Sequence, residues 1–209
     1  MATLRTITGF KEKLAGGGAR SNLFEVDIPA FPSNISTYWN SETRSRFNFL
    51  CKSAALPSSN ISPIQVPYRN RILKVQGQRT FDPWTVSVIN DENFDLRTAF
   101  EQWVNQMDKL SNATGATSPE SYMTEIYVHQ IGKGADQNRE SITPSTSLNN
   151  TTITPLRTYK LYGAFPTNVS AIELSYDTAD AIEEFSVEFQ YQYFTIGDTP
   201  DQTNVSIAW

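Results

Sequence analysis

One run near the C-terminal end constrains the fold most. From Glu184 to Tyr193 the residues alternate without a fault. Phe185, Val187, Phe189, Tyr191 and Tyr193 take one face, and Glu184, Ser186, Glu188, Gln190 and Gln192 take the other. A side-chain period of two belongs to a β-strand. Ten residues at about 3.3 Å each predict a strand of roughly 33 Å, with one face on a core and the other on water or a polar partner. Glu184 and Glu188 share the polar face, roughly 13 Å apart by the strand rise. That is too far for the paired-carboxylate chemistry of a glycosidase, so they read as a solvated wall.

Composition points the same way. Ser, Thr and Asn make up 57 of 209 residues, and charged residues only 19%, a balance that favours strands and turns. One helix stands out: Leu96, Phe100, Trp103, Val104 and Met107 form a stripe that predicts a helix over about 93–108. Asp91, Glu92 and Asp95 sit at its start, where the helix dipole favours anions. A weak helical spacing over 4–14 ends at a glycine hinge, 16–18. Strands are expected at 22–28 (Phe24, Val26 and Ile28 inward), 46–52 (Phe47, Phe49 and Cys51 inward), 71–79, and 84–88 (Trp84, Val86 and Val88 inward). Others are expected at 120–130, 159–163 and 169–176, the last with Ile172, Leu174 and Tyr176 inward. Pro57, Pro63 and Pro67 make any strand between 56 and 70 an edge or a broken one. Residues 29–45 and 131–155 read as insertion-like loops and 196–209 as a short tail. The chain as a whole, 1–209, reads as a single domain: mainly β, an antiparallel sandwich or barrel with one flanking α-helix.

Many functions lack their residues. Cys51 is the only cysteine, so no internal disulfide is possible, and its place on an apolar face reads as a buried small hydrophobe. His129 is the only histidine, which removes Cys/His zinc sites and leaves a nucleophilic triad without a base unless His129 serves. The glycine-rich stretches lack the Gly-Lys-Ser/Thr of a phosphate loop, and the turn at 177–180 lacks calcium-loop spacing. No catalytic residue, cofactor or metal is expected. No apolar run approaches 18 residues and the first 20 lack the apolar core of a secretory signal, so neither membrane insertion nor export is expected. A pI of about 4.9 disfavours ordinary DNA binding. A carbohydrate-binding β-sandwich would present aromatics on a solvent face, whereas these fall on core faces.

Charge is divided along the chain. Residues 1–80 hold 11 Lys/Arg against 4 Asp/Glu, and residues 81–209 hold 6 against 18. Arg69, Arg71, Lys74 and Arg79 crowd one stretch without an acid, while Glu173, Asp177, Asp180, Glu183 and Glu184 lie in a region without a cation. These sets either pair inside one subunit or form a head-to-tail surface between copies.

Two segments carry more than pattern: VPYRNRILKVQGQRTFDPWTVSVINDE at 66–92 and YGAFPTNVSAIELSYDTADAIEEFSVEFQYQYF at 162–194. With ARSNLFEV at 19–26 and CKSAALP at 51–57, in this order, they resemble the major tail tube proteins of contractile-tailed (myovirus-type) bacteriophages. Asn70-Arg71, Gly77 with Arg79-Thr80-Phe81-Asp82, Trp84-Thr85-Val86 and Asn90-Asp91 are its most specific pieces, and Gly163 with Pro166-Thr167-Asn168-Val169 comes next. The resemblance departs at 29–45, at 131–155 and after 195. It implies a structural virion protein assembled in the host cytoplasm. Six copies would form a ring whose strands join in one ring-wide β-barrel, and rings would stack into the inner tube of the tail. Implied partners are other copies, the tail sheath protein, a baseplate initiator, a tail terminator, and the tape-measure protein and genome passing through the lumen. A baseplate initiator or a secretion-device tube of the same fold is the nearest alternative. On this reading the polar face Glu184, Ser186, Glu188, Gln190 and Gln192 lines the lumen. Arg69, Arg71, Lys74 and Arg79 then meet Glu173, Asp177 and Asp180 of the next ring. The loop at 56–70 is expected to order on assembly, and the insertion-like loops to lie outside the bore.

Overall fold

The computed structural model describes residues 6–14, 17–112, 114–132, 143–144, 151–152, 155–177, 180 and 182–197. Its elements are α1 (Ile7–Lys13), β1 (Phe24–Asp27), α2 (Ser41–Leu50), β2 (Cys51–Ala54), β3 (Asn60–Tyr68), β4 (Arg71–Thr80), β5 (Trp84–Ile89), α3 (Asp95–Met107) and β6 (Thr124–Gln130). After them come β7 (Thr143–Pro144), β8 (Thr151–Thr152), β9 (Arg157–Val169), β10 (Glu184–Gln190) and β11 (Tyr193–Gly197). They fall into two compact units, one of residues 26–128 and 159–196, the other of 1–25, 129–158 and 197–209.

The larger unit is built on a mainly antiparallel sheet in the order β1-β6-β9-β10-β5-β2, with β11 also paired to β9. One face of this sheet is dry. Val26, Ile126, Val128, Leu161, Phe185, Val187, Phe189, Trp84, Val86 and Val88 are all buried on it. Helix α3 supplies the opposing wall through Leu96, Ala99, Phe100 and Trp103. Phe100 meets Phe185 and Phe189 at ring-centroid distances of 6.3 and 6.1 Å. The polar tips of the buried tryptophans are satisfied by backbone: Trp39 and Trp103 donate to the carbonyls of Ile28 and Tyr122, each at 2.8 Å.

Helix α3 starts where its acids predicted. The Asp91 carboxylate accepts from the Asp95 and Leu96 amides, both at 3.2 Å, and Arg46 reaches Asp91 and Asp95 from α2. The residue in the capping position, Phe94, is left-handed at φ 58°, so the cap is supplied from Asp91. Asp91→Ala is expected to cost about 1–2 kcal/mol, read as a lower urea midpoint at unchanged slope. An unmoved midpoint would mean that Asp91 does not cap the helix.

Two strand expectations and one loop expectation require correction. Residues 46–52 are not one strand: α2 runs to Leu50 and β2 begins at Cys51. The Asn40 side chain accepts from the Thr43 amide at 2.8 Å and starts the helix. Its burial has period four, with Thr43 and Phe47 inside and Phe49 87% exposed. Residues 29–45 are likewise not an outward loop. A 3-10 helix spans Ser33–Tyr38, and Phe31, Ile35 and Trp39 are core, with Phe31 stacked on Trp39 at 4.1 Å. Finally, β9 ends at Val169, and residues 170–176 are not a strand. Ser170 bonds back to Ser186 and accepts from Arg97; residues 171–176 belong to no strand among the described residues, and Leu174 and Tyr176 lie exposed.

In the smaller unit the Gln130 side-chain amide donates to the carbonyls of Arg20 and Leu23, and His129 Nδ1 lies 2.9 Å from Thr158 Oγ1. His129 is thus held as part of the scaffold. Strands β7 and β8 pair antiparallel. The rest of the 131–155 stretch, and the tail after Gly197, lie outside the described residues apart from 131–132 and 155.

Candidate assembly surfaces

The first surface is a ribbon. Among the described residues, strands β3 and β4 pair only with each other. In their register Ile64 faces Val75, Val66 faces Leu73, and Tyr68 faces Arg71. Directly opposed residues share a face, so these apolar side chains form one stripe. All five are 43–66% exposed. The other face carries Pro63 with Gln76, Gln65 with Lys74, and Pro67 with Ile72. Residues 60–68 form a strand in the subunit and not the loop expected over 56–70; both strands of the ribbon are edges, the position at which β3 tolerates its prolines. A bulge between Ile61 and Pro63 bends it. There a Cβ on Gly77 would fall 2.1 Å from the Ser62 carbonyl oxygen, so only glycine fits. The ribbon turns through Arg69 and Asn70, both at positive φ (43° and 66°), as a two-residue type I′ turn demands. Its root is fixed: Ser58 and Asn60 donate to the Asp82 carboxylate, and Phe81 packs against Tyr191 and Phe194.

The second surface is the solvent face of the sheet. Glu184, Ser186, Glu188 and Gln190 do lie along one face of β10, opposite Ile89, Ser87 and Thr85 of β5 and Phe165 of β9. The predicted ten-residue strand is shorter than that. It stops at Gln190, kinks through Tyr191 and Gln192, and resumes as β11. Gln192 follows the break: its amide donates to the Tyr162 carbonyl at 2.9 Å and its side chain covers Gly163, whose φ is 58°. Glu184 is held by Lys52, with Nζ to Oε1 at 2.6 Å. Farther along the face is an arrangement that no sequence motif announced. Lys160 pairs with Glu125 at 2.8 Å and lies over the rings of Tyr127 and Tyr162, and Tyr162 stacks on Tyr193 at 4.6 Å. Burial opposes the charge on Lys160, but Glu125 and Tyr127 outweigh it and raise its pKa. Only the alternation Glu125-Tyr127 against Lys160-Tyr162 hinted at the pair, and it needs the β6–β9 register to be seen.

The third surface is the segment between β9 and β10. It carries Glu173, Asp177, Asp180 and Glu183 together with exposed Leu174, Tyr176 and Ile182. Among the described residues, neither Arg69, Arg71, Lys74 and Arg79 nor Glu173, Asp177 and Asp180 form an ion pair. The two sets do not neutralise each other inside the described subunit. Cys51 is buried, and burial pushes its thiol up to about 12, which leaves it inert as a nucleophile at neutral pH.

Comparison with known proteins decides what these surfaces belong to. Residues 19–197 match the phage tail tube protein family. The chain belongs to that family. It is 31% identical over 180 residues to the tail tube protein gp19 of Enterobacteria phage T4, covering 86% of this chain and 93% of that protein. A tail tube protein of Serratia phage KSP90 is 24% identical over 191 residues. Among solved structures, a chain of the anti-feeding prophage baseplate, described as 6-fold symmetrised, superposes with a TM-score of 0.56 at 13% identity, covering 86% of this chain and 95% of the other. A chain of that prophage's tube-terminating cap superposes at 0.54 and 14% identity, covering 87% and 91%. At such identities these two matches show a shared fold. The tube protein is therefore a structural protein of a contractile-type phage tail, and its family is a structural one and not an enzyme family. None of its described helices is long and apolar enough to cross a membrane.

Proposed function

We propose that six copies of this tube protein close into a ring, and that rings stack into the inner tube of the tail as the conduit for the genome. The single observation that carries this reading is the uncovered apolar stripe of the β3–β4 ribbon. Such a stripe on an unpaired two-stranded ribbon is an association hazard unless another copy covers it. Sixfold closure is supported by the shared fold with a baseplate chain of sixfold assembly. Relatives at 31% identity are tube subunits, which favours the tube proper over an initiator. The full chain would act as one tube domain. It would be assembled in the host cytoplasm and engage a sheath, a baseplate initiator and a terminator outside the bore, with the tape-measure protein and then the genome inside. Arg69, Arg71, Lys74 and Arg79 of one ring would face Glu173, Asp177 and Asp180 of the next. Electron microscopy of concentrated protein tests the assembly: hollow tubes or six-lobed rings are expected, and a monodisperse monomer at every concentration would refute it.

The lumen wall in this reading is the β10 face of Glu184, Ser186, Glu188 and Gln190, with Gln192 in the kink that follows. Acids and amides there repel a polyanion or hold it weakly, so that it slides. Glu184 is partly neutralised by Lys52, so Glu188 carries the test. Glu188→Lys is expected to leave tube formation intact and to slow genome release. Release at the wild-type rate, or a thiol reagent too large for the bore labelling Glu188→Cys in intact tubes, would move this face out of the lumen.

A further inference from the structure

We infer that the groove beside the β9–β10 segment is the seat into which a second copy inserts the tip of its β3–β4 ribbon; this rests on the self-assembly proposed above. The groove holds about 520 Å³ and is lined by Ile172, Glu173, Leu174, Tyr176, Ile182 and Glu183. Three of its apolar walls lie open in the subunit, Leu174 at 79%, Ile182 at 72% and Tyr176 fully exposed. Side chains of this size are left in water by a folded chain where a partner covers them.

The ribbon matches this groove in both respects that can be read. It is apolar on the stripe that ends at Tyr68, and its tip is cationic, with Arg69 and Arg71 flanking Asn70. Residues 58–81 contain no acid before Asp82, and no Lys or Arg follows Lys160. Tip and groove are thus complementary in charge, while tip against tip and groove against groove repel. The nine residues of β3 place the tip roughly 30 Å from the root, and β3 and β4 form their own two-stranded sheet apart from the main one. Helix α1 also exposes apolar residues, Ile7 and Phe10, but it is seven residues long and carries Glu12 between its two lysines.

The turn itself carries a cost that assembly would offset. An L-residue other than glycine is strained at positive φ, and asparagine bears it better than arginine. Arg69 holds that conformation at φ 43°, exposed, with its guanidinium 5.4 Å from the Tyr68 ring centroid. A chain selected for monomer stability alone would place Asn or Gly there.

Photo-crosslinking tests the seat. With p-benzoylphenylalanine replacing Tyr68, tubes grown from mixed light and heavy isotope-labelled chains are expected to give adducts between position 68 of one copy and residues 170–184 of another. Adducts that map to α1 or to the sheet, in tubes that form normally, would overturn the seat and leave the tube reading standing. Failure of the unmodified protein to form tubes would instead strike the tube reading itself. A charge exchange covers the case in which the crosslinker blocks growth. Arg71→Glu and Glu173→Lys alone are each expected to slow tube growth by about tenfold, and together to recover most of the rate. Additive losses in the double variant would overturn the pairing. Arg69→Gly is expected to leave the melting temperature of the monomer unchanged or raised while slowing growth; growth at the wild-type rate would free the tip from any role.

Discussion

Phe100→Ala is expected to remove about 3–5 kcal/mol of stability, most of what a chain of this size has to spare. Phe100 is fully buried, and its ring meets five others: Phe31 at 5.7 Å, Trp39 at 5.9 Å, Phe47 at 5.7 Å, Phe185 at 6.3 Å and Phe189 at 6.1 Å. These belong to the 31–39 segment, α2 and β10, so one side chain joins both helical layers to the sheet. The tilted and edge-on geometries add to the plain burial of area. A cavity there cannot collapse without moving several elements at once. Urea titration should give a much lower midpoint, with insoluble expression as the extreme case, and Phe100→Leu should recover a large part of the loss. A shift below about 1 kcal/mol would mean that the helical layer packs on the sheet independently of this ring.

Excising the ribbon should do the opposite: leave the monomer intact and abolish assembly. Joining Ile61 to Arg79, which face each other in register, through Asn-Gly removes residues 62–78 and closes the stub with the same turn type. None of the removed side chains is buried, and the root contacts of Ser58, Asn60, Phe81 and Asp82 remain. The melting temperature should stay within about 4 °C of the wild type. Sedimentation and electron microscopy should find monomer only. Tubes formed by the shortened chain would remove the ribbon from the assembly and require the sheet edges β1 and β2 to account for it.

Local periodicity was legible where the partner surface lies in the same subunit. The stripe from Leu96 through Trp103 became α3 within two residues at its start, and the alternations at 84–88 and 184–190 became β5 and β10 with the expected residues inside. The fold around them was misread where a second period was hidden. Phe31, Ile35, Trp39, Thr43 and Phe47 recur every four residues and are all buried, but Pro32, Ser33, Asn34 and Asn40 between them gave the stretch the composition of a loop. The chance pair Phe47 and Phe49 then suggested a strand. The alternation at Ile172, Leu174 and Tyr176 suggested a strand, but no described strand of the subunit pairs with that segment. Of the candidate sites, the charges at 69–79 and 173–180 were visible as blocks. The apolar stripe of the ribbon depended on a register that the prolines obscured, and the cluster of Lys160 with Glu125, Tyr127 and Tyr162 on strands far apart in the chain.

The burial of Cys51 has a practical side. With its thiol pushed up to about 12 by burial, Cys51 stays protonated near neutral pH, and the surrounding core keeps reagents away. The protein comes with a silent background for cysteine chemistry. A single cysteine introduced on the ribbon, the groove or the sheet face would be the one reactive thiol of each copy. Fluorophores, spin labels or gold can therefore be placed one per subunit, at the spacing of whatever lattice the copies build, without first removing a native residue.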